Sequence, residues 1–287
     1  MKKRLSIAAI IAVIILTPGE LSAQKKGKPL YTAPFGVQAY TFRNSFPLNV
    51  VATLDTIKMM GFTEIEGTGG KLPPAEFRRL CEERGISIPS TGAGYDELVN
   101  HPDSVVMRAR ALGASYVMCS WIPHEVPFNL DHAKKAVDDF NAAGKVLKES
   151  GITLCYHTHG FEFVPHGDGT LMDYLITNTN PEYVSFEMDI LWVQFGGGDP
   201  VALLKKYGNR WKLMHLKDLR KGVKKDLSGG TSQENDVALG TGEIDIAGVL
   251  REAKKIGISH YFIEDESSRV IKQVPESIAY IKSLKEE

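Results

Sequence analysis

Short apolar runs alternate with amphipathic stretches along almost the whole chain. The runs at residues 37–40, 62–66, 86–91, 116–120, 152–157, 184–189, 212–216 and 261–264 are rich in apolar residues and too brief for helices. Such runs predict strands buried on both faces. Between them the apolar spacing changes to three and four. Ala133, Ala136, Val137, Phe140, Ala143 and Leu147 share one helical face, with Asp138, Asp139, Lys145 and Lys148 on the other. This predicts an amphipathic helix lying against a sheet.

The junctions between the two patterns repeat one chemistry. Met60-Gly61-Phe62, Arg84-Gly85-Ile86, Leu112-Gly113-Ala114, Ser150-Gly151-Ile152 and Ile256-Gly257-Ile258 each put a glycine where a left-handed residue closes a helix, and a strand begins at once. Eight strands, each followed by a helical stretch, fill the roughly 250 residues of a closed (β/α)8 barrel, so the predicted fold is a single-domain α/β TIM barrel. An open, doubly wound sheet fits less well. No glycine-rich phosphate fingerprint follows an early strand, and the candidate ligands come from several late strands. The long irregular stretch from Arg220 to Gly242, rich in Lys, Gly, Ser and Asn, sits where an active-site loop after the seventh strand belongs.

The N-terminus has a different character. Lys2, Lys3 and Arg4 precede an apolar run from Ile7 to Leu16, then Pro18-Gly19 and Leu21-Ser22-Ala23. That order predicts a secretory signal over residues 1–23 and a mature barrel over 24–287, exported to the periplasm and free of the membrane after cleavage. Thirty-four basic against thirty-five acidic residues leave a net charge of -1, which gives no basis for a nucleic-acid partner. Of the three cysteines, Cys119 and Cys155 fall in strand runs, so buried thiols are expected rather than a disulfide framework. Nothing in the chain opposes a homo-oligomer.

Polar residues gather at the C-terminal ends of the predicted strands, the face where barrel enzymes build their sites. They are Tyr40, Glu66, Ser120, His157, His159, Glu162, Asp189, His215, Lys217 and Glu264. Singly, each has an ordinary reading: Asp189 as a turn cap, His215 as a core histidine, Glu162 as a solvated loop charge, Glu264 as one acid of Glu264-Asp265-Glu266. Together, three carboxylates and an imidazole would repel unless a cation neutralised them. Oxygen-rich coordination with one nitrogen suits a single divalent metal ion, Mn2+, Co2+, Mg2+ or Zn2+. At most one of His157 and His159 is expected to face the pocket. Tyr40, Glu66, His157 and Lys217 are candidate substrate contacts, and Trp121 and Trp192 could supply an apolar wall for a ligand ring.

The motifs Gly36-Val37-Gln38-Ala39-Tyr40-Thr41, Tyr156-His157-Thr158-His159-Gly160-Phe161-Glu162, Asp189-Ile190-Leu191-Trp192, His215-Leu216-Lys217-Asp218, Leu239-Gly240-Thr241-Gly242-Glu243-Ile244-Asp245 and Ile263-Glu264 resemble those of the sugar phosphate isomerase/epimerase family of xylose isomerase-like barrels. That family includes inosose dehydratases and ketose 3-epimerases, and the resemblance covers nearly all of the mature chain. It implies that Glu162, Asp189, His215 and Glu264 hold the metal and that the two glutamates exchange protons with substrate. Ketose epimerases usually carry a histidine three residues after the metal-binding Asp, where this chain has Trp192, as in the dehydratase-like branch. The resemblance thus implies a metal-dependent lyase or hydratase that acts through an enediolate on a keto sugar or keto-glycoside. Glu162 or Glu264 would be the base, with His159 and Lys217 as candidate acids. The alternatives are a sugar isomerase or epimerase, and a non-catalytic periplasmic sugar-binding barrel. No glycine-rich phosphate loop is present, so a phosphorylated substrate is not expected.

Overall fold

In the computed structural model, which describes residues 27–286, the eight apolar runs become eight parallel strands. They are β1 (Gly36–Gln38), β2 (Glu64–Glu66), β3 (Ser87–Gly92), β4 (Tyr116–Cys119), β5 (Thr153–His157), β6 (Val184–Asp189), β7 (Trp211–Leu216) and β8 (His260–Ile263). Each pairs with its neighbour in sequence, and β8 returns to β1, with Val37 opposite Ile263. The result is the expected closed (β/α)8 barrel. β1 ends two residues earlier than its apolar run because the Gln38 side chain accepts from the Tyr40 backbone N–H at 3.1 Å and turns Ala39–Phe42 into a 3-10 helix. The signal expected over residues 1–23 lies outside the described residues. Among those described, no helix is long and apolar enough to cross a membrane.

The five junction glycines all have positive φ, between 64° and 95°. At Gly257 a Cβ would meet nothing within 4 Å, so space does not exclude a side chain there; the backbone, at φ 83°, does. Gly257→Ala is therefore expected to cost about 1–2 kcal/mol, the penalty for a left-handed L-residue. Denaturant unfolding checks this, and an unchanged midpoint would contradict it. The helix Leu130–Glu149 buries the six residues that periodicity assigned to its inner face, and Asn129 and His132 cap its start reciprocally.

Inside the barrel, residues two apart on a strand face the lumen together, so side chains stack in layers. Cys155, Leu213 and Phe262 form a small buried apolar layer. One step toward the C-terminal mouth lie Glu66, Glu187 and His215, and beyond them His157, Asp189 and Glu264. All three cysteines are buried and free, as expected.

The loop after β7 is pinned at both ends. Asp218–Leu219 pairs antiparallel with Asp236–Val237, and the Asp218 carboxylate accepts from the backbone N–H groups of Gly240 and Gly242 at 2.9 Å and Ile244 at 3.2 Å. A Cβ on Gly242 would lie 2.2 Å from Asp218 Oδ1, so this approach requires glycine. Between these anchors Gly229, Gly230 and Thr231 reach over the barrel mouth.

Candidate metal centre

Asp189 divides its carboxylate between two tasks. Oδ1 accepts from the N–H groups of Leu191 at 2.8 Å and Trp192 at 3.0 Å, capping the helix that follows β6. Oδ2 is buried without a hydrogen-bond partner. Facing it, His215 Nδ1 stands 3.7 Å from Asp189 Oδ2, 3.2 Å from Glu264 Oε2 and 3.1 Å from His157 Nε2. His157 Nε2 is in turn 3.5 Å from Asp189 Oδ2. One ligand atom from each of these four residues lies within 4.8 Å of the others. Adjacent vertices around an ion with bonds of about 2.1 Å are roughly 3 Å apart, so the spacing and the mixed oxygen and nitrogen donors fit a divalent cation. The unpartnered Asp189 oxygen fits it independently.

Glu162, expected as the fourth ligand, stands outside this group. It follows β5 in a 3-10 turn, and its Oε1 is turned to the Tyr156 hydroxyl and the His159 N–H, the latter at 2.9 Å. Its Oε2 is buried and unpartnered. Burial raises this carboxyl to about 7, even against the hydrogen bond from Tyr156. In this structure His157, not Glu162, brings the fourth donor atom within reach of the other three. His159 lines the cavity as well, contrary to the expectation that only one of the pair would. Residues two apart share a strand face, and His159 lies just past the end of β5.

Glu66 was expected to touch substrate but is fully buried beneath the mouth. Its Oε2 accepts from Gln38 Nε2 at 2.8 Å and sits 2.5 Å from His215 Nε2. That contact leaves Nδ1 of His215 facing the upper cluster, the arrangement in which a carboxylate orients a metal-binding imidazole. Glu187, which the sequence reading did not single out, joins from β6 with Oε1 3.4 Å from the same nitrogen. The available signal was its position two residues before Asp189 on one strand face. Glu66→Gln is expected to weaken metal binding about 10- to 100-fold. Glu64→Gln, at the carboxylate that pairs with His260 at 2.9 Å, should leave it unchanged; equal losses in a metal titration would remove Glu66 from this role.

Lys217 is buried. It bonds Glu266 and lies 3.5 Å from Glu264 Oε2 and 3.6 Å from Asp236 Oδ2. Burial opposes its charge, but Glu264 and Asp236 outweigh that and hold the ammonium well above its ordinary range. It is thus a fixed cation rather than the proton donor expected. Burial, aided by His157, lowers His159 to about 3, so this ring is neutral and suits accepting a hydrogen bond more than delivering a proton. Trp192 lies 4.6 Å from the His159 ring, Trp121 stands edge-on to it at 5.0 Å, and Tyr40 is half exposed at the rim. His157, His159, Trp192, His215 and Glu264 line an open cavity of about 500 Å³ at the mouth.

Burial alone would strip the proton from His215, but Glu187, Glu264 and Glu66 reverse this and hold it protonated well above 6.5. A cation at Nδ1 must displace that proton. Loading is therefore expected to release about one proton and to tighten as pH rises. Calorimetric titration in buffers of different ionisation enthalpy reads the number; no proton release at pH 6 to 7 would contradict a metal-bound His215.

A family model described as a xylose isomerase-like TIM barrel matches residues 54–284. The inosose dehydratase of Clostridium tetani is 35% identical over 193 residues, covering 59% of this chain and 64% of that protein. Other inosose dehydratases are matched over 32% of their length, so the chain spans less than two thirds of these relatives. A sugar phosphate isomerase/epimerase from Parabacteroides distasonis superposes with a TM-score of 0.74 at 24% identity, covering 88% of this chain and 94% of that one. A xylose isomerase-like TIM barrel protein from Mycobacterium smegmatis, solved in complex with magnesium, gives 0.68 at 16% identity over 88% and 96%. At these identities the structures show the shared fold alone.

Proposed function

The chain belongs to the xylose isomerase-like TIM barrel family, and from that premise we propose that it is a divalent-metal-dependent sugar lyase or dehydratase acting on a keto sugar or keto-glycoside. One observation carries the reading: an ionised carboxylate, Glu264, lies among the candidate metal ligands with the fixed ammonium of Lys217 3.5 Å away, while a second buried carboxyl, Glu162, follows the end of β5. Burial would raise Glu264, but Lys217 and His215 overcome it and bring this carboxyl to about 2. Glu264 Oε2 is therefore ionised at neutral pH and can take the proton from the carbon next to a carbonyl. Glu162, at about 7, is matched to neutral pH for accepting or returning a proton.

A cation held by Asp189, His215, Glu264 and His157 would polarise the substrate carbonyl and stabilise negative charge as the proton leaves. Lys217 adds a positive charge that is already in place. Neutral His159, which lines the cavity beside Trp192 and is backed by Trp121, can bond a sugar hydroxyl. The inosose dehydratase relatives favour loss of a β-substituent over return of the proton. Export to the periplasm belongs to the same proposal, on the strength of the basic and apolar residues at positions 2–16.

The test is proton NMR of metal-loaded protein in deuterated solvent with a panel of keto sugars and keto-glycosides. Exchange of a carbon-bound proton accompanied by an elimination product is expected. Exchange with inversion and no elimination would make it an epimerase. Neither exchange nor product across the panel would leave a sugar-binding barrel.

A further inference from the structure

We infer that the early-strand half of the barrel mouth is a second sugar subsite, so that the ligand is a two-ring glycoside rather than a free monosaccharide. The inference rests on the sugar reading above and extends it. The candidate ligands occupy the β5 to β8 side of the mouth. On the β1 to β4 side lies a groove of about 980 Å³. Gln38, Tyr40 and Met118 line both this groove and the metal cavity, so one molecule can pass from one to the other. The metal cavity of about 500 Å³ already falls within the roughly 300–1,000 Å³ of complete small-ligand sites. The groove therefore exceeds what one ring over the metal requires.

The lining states what it accepts. Tyr40, half exposed where the two spaces meet, has its ring covered by Arg43 at 4.7 Å and offers an aromatic platform. No carboxylate lines the groove. Among its cations Arg108 is neutralised by Glu97, whereas Arg43 bonds only carbonyl and amide oxygens. Lys71 makes no ion pair among the described residues. Such a lining accepts a neutral or acidic ring and disfavours a cationic amino sugar. Gly92, at the end of β3, borders the groove without a left-handed backbone, and a Cβ there would meet nothing within 4 Å. Neither its backbone nor its packing demands glycine, and the open volume above it is the groove itself.

The test is calorimetric binding to metal-loaded full-length protein. The probes are one keto-monosaccharide and the same ring linked to glucose, glucuronic acid or glucosamine. The glucose- and glucuronate-linked probes are expected to bind at least about tenfold more tightly than the monosaccharide, equivalent to ~1.4 kcal/mol. Gly92→Leu should abolish that advantage and leave the monosaccharide affinity unchanged. Lys71→Glu, at an exposed side chain, should reverse the preference for glucuronate over glucosamine, and it serves if Gly92→Leu fails to fold. Equal binding of one-ring and two-ring probes, an advantage that survives Gly92→Leu, a glucuronate-over-glucosamine preference unchanged by Lys71→Glu, or no saturable binding of any probe would overturn the inference. Solvent-exchange NMR on the same probes separates the two claims. Two-ring binding without exchange sinks the catalytic reading alone, and exchange with equal binding sinks the subsite alone.

Discussion

Glu264→Gln is expected to reduce turnover roughly 100- to 10,000-fold, the usual range for losing a positioned acid or base, with the fold intact. The amide keeps the shape of the side chain but cannot take a proton from carbon. Its oxygen can still face His215 Nδ1, which lies 3.2 Å from the native carboxylate. Metal affinity will fall as well, so turnover must be measured with saturating metal, alongside the dissociation constant of a bound sugar. A large loss in kcat with a small change in sugar affinity marks Glu264 as the base. Equal weakening of both, with no separate effect on kcat, would reduce it to a binding group.

Lys217→Met is expected to cost about 3–5 kcal/mol in denaturant unfolding, because it leaves buried carboxylates without their counter-charge. Glu264, Glu266 and Asp236 all face this ammonium, whose side chain is 1% exposed. Burial already raises Asp236 to about 7 despite Lys217. The pH dependence has a definite sign. The depressed pKa of Glu264 contributes stability that is fully present above its ordinary range and is lost progressively as pH falls from there through about 2. Removing Lys217 forfeits that contribution, so the deficit should be largest near neutrality and shrink below about pH 4, where the carboxyls bury as neutral acids. A deficit under about 1 kcal/mol at pH 7 would show that the cluster needs no internal cation.

The fold was legible because its signals are local. Each strand is an apolar run, and each junction glycine states its own backbone requirement within three residues. The loop after β7 was legible as a long irregular stretch, but its pinning was not, because Asp218 reaches Gly242 across 24 residues. The site was legible only to the level of strand ends. Asp189, His215 and Glu264 converge as expected, but which donor joins them depends on side-chain direction. His157 points into the group from the last position of β5, while Glu162 is drawn away by Tyr156 and the His159 N–H. Glu66 and Glu187 were illegible as supports of His215 for a different reason. They meet it only because the barrel closes residues 66, 187 and 215 into one layer, a relation that no local window contains.

Anomalous diffraction from crystals soaked in Mn2+ tests the shared-ion site most directly. One peak is expected within about 2.0–2.4 Å of donor atoms from Asp189, His215 Nδ1 and Glu264, with His157 or a rotated Glu162 completing the shell. No peak at the mouth, or a peak lower in the lumen between Glu66, Glu187 and His215 Nε2, would contradict it.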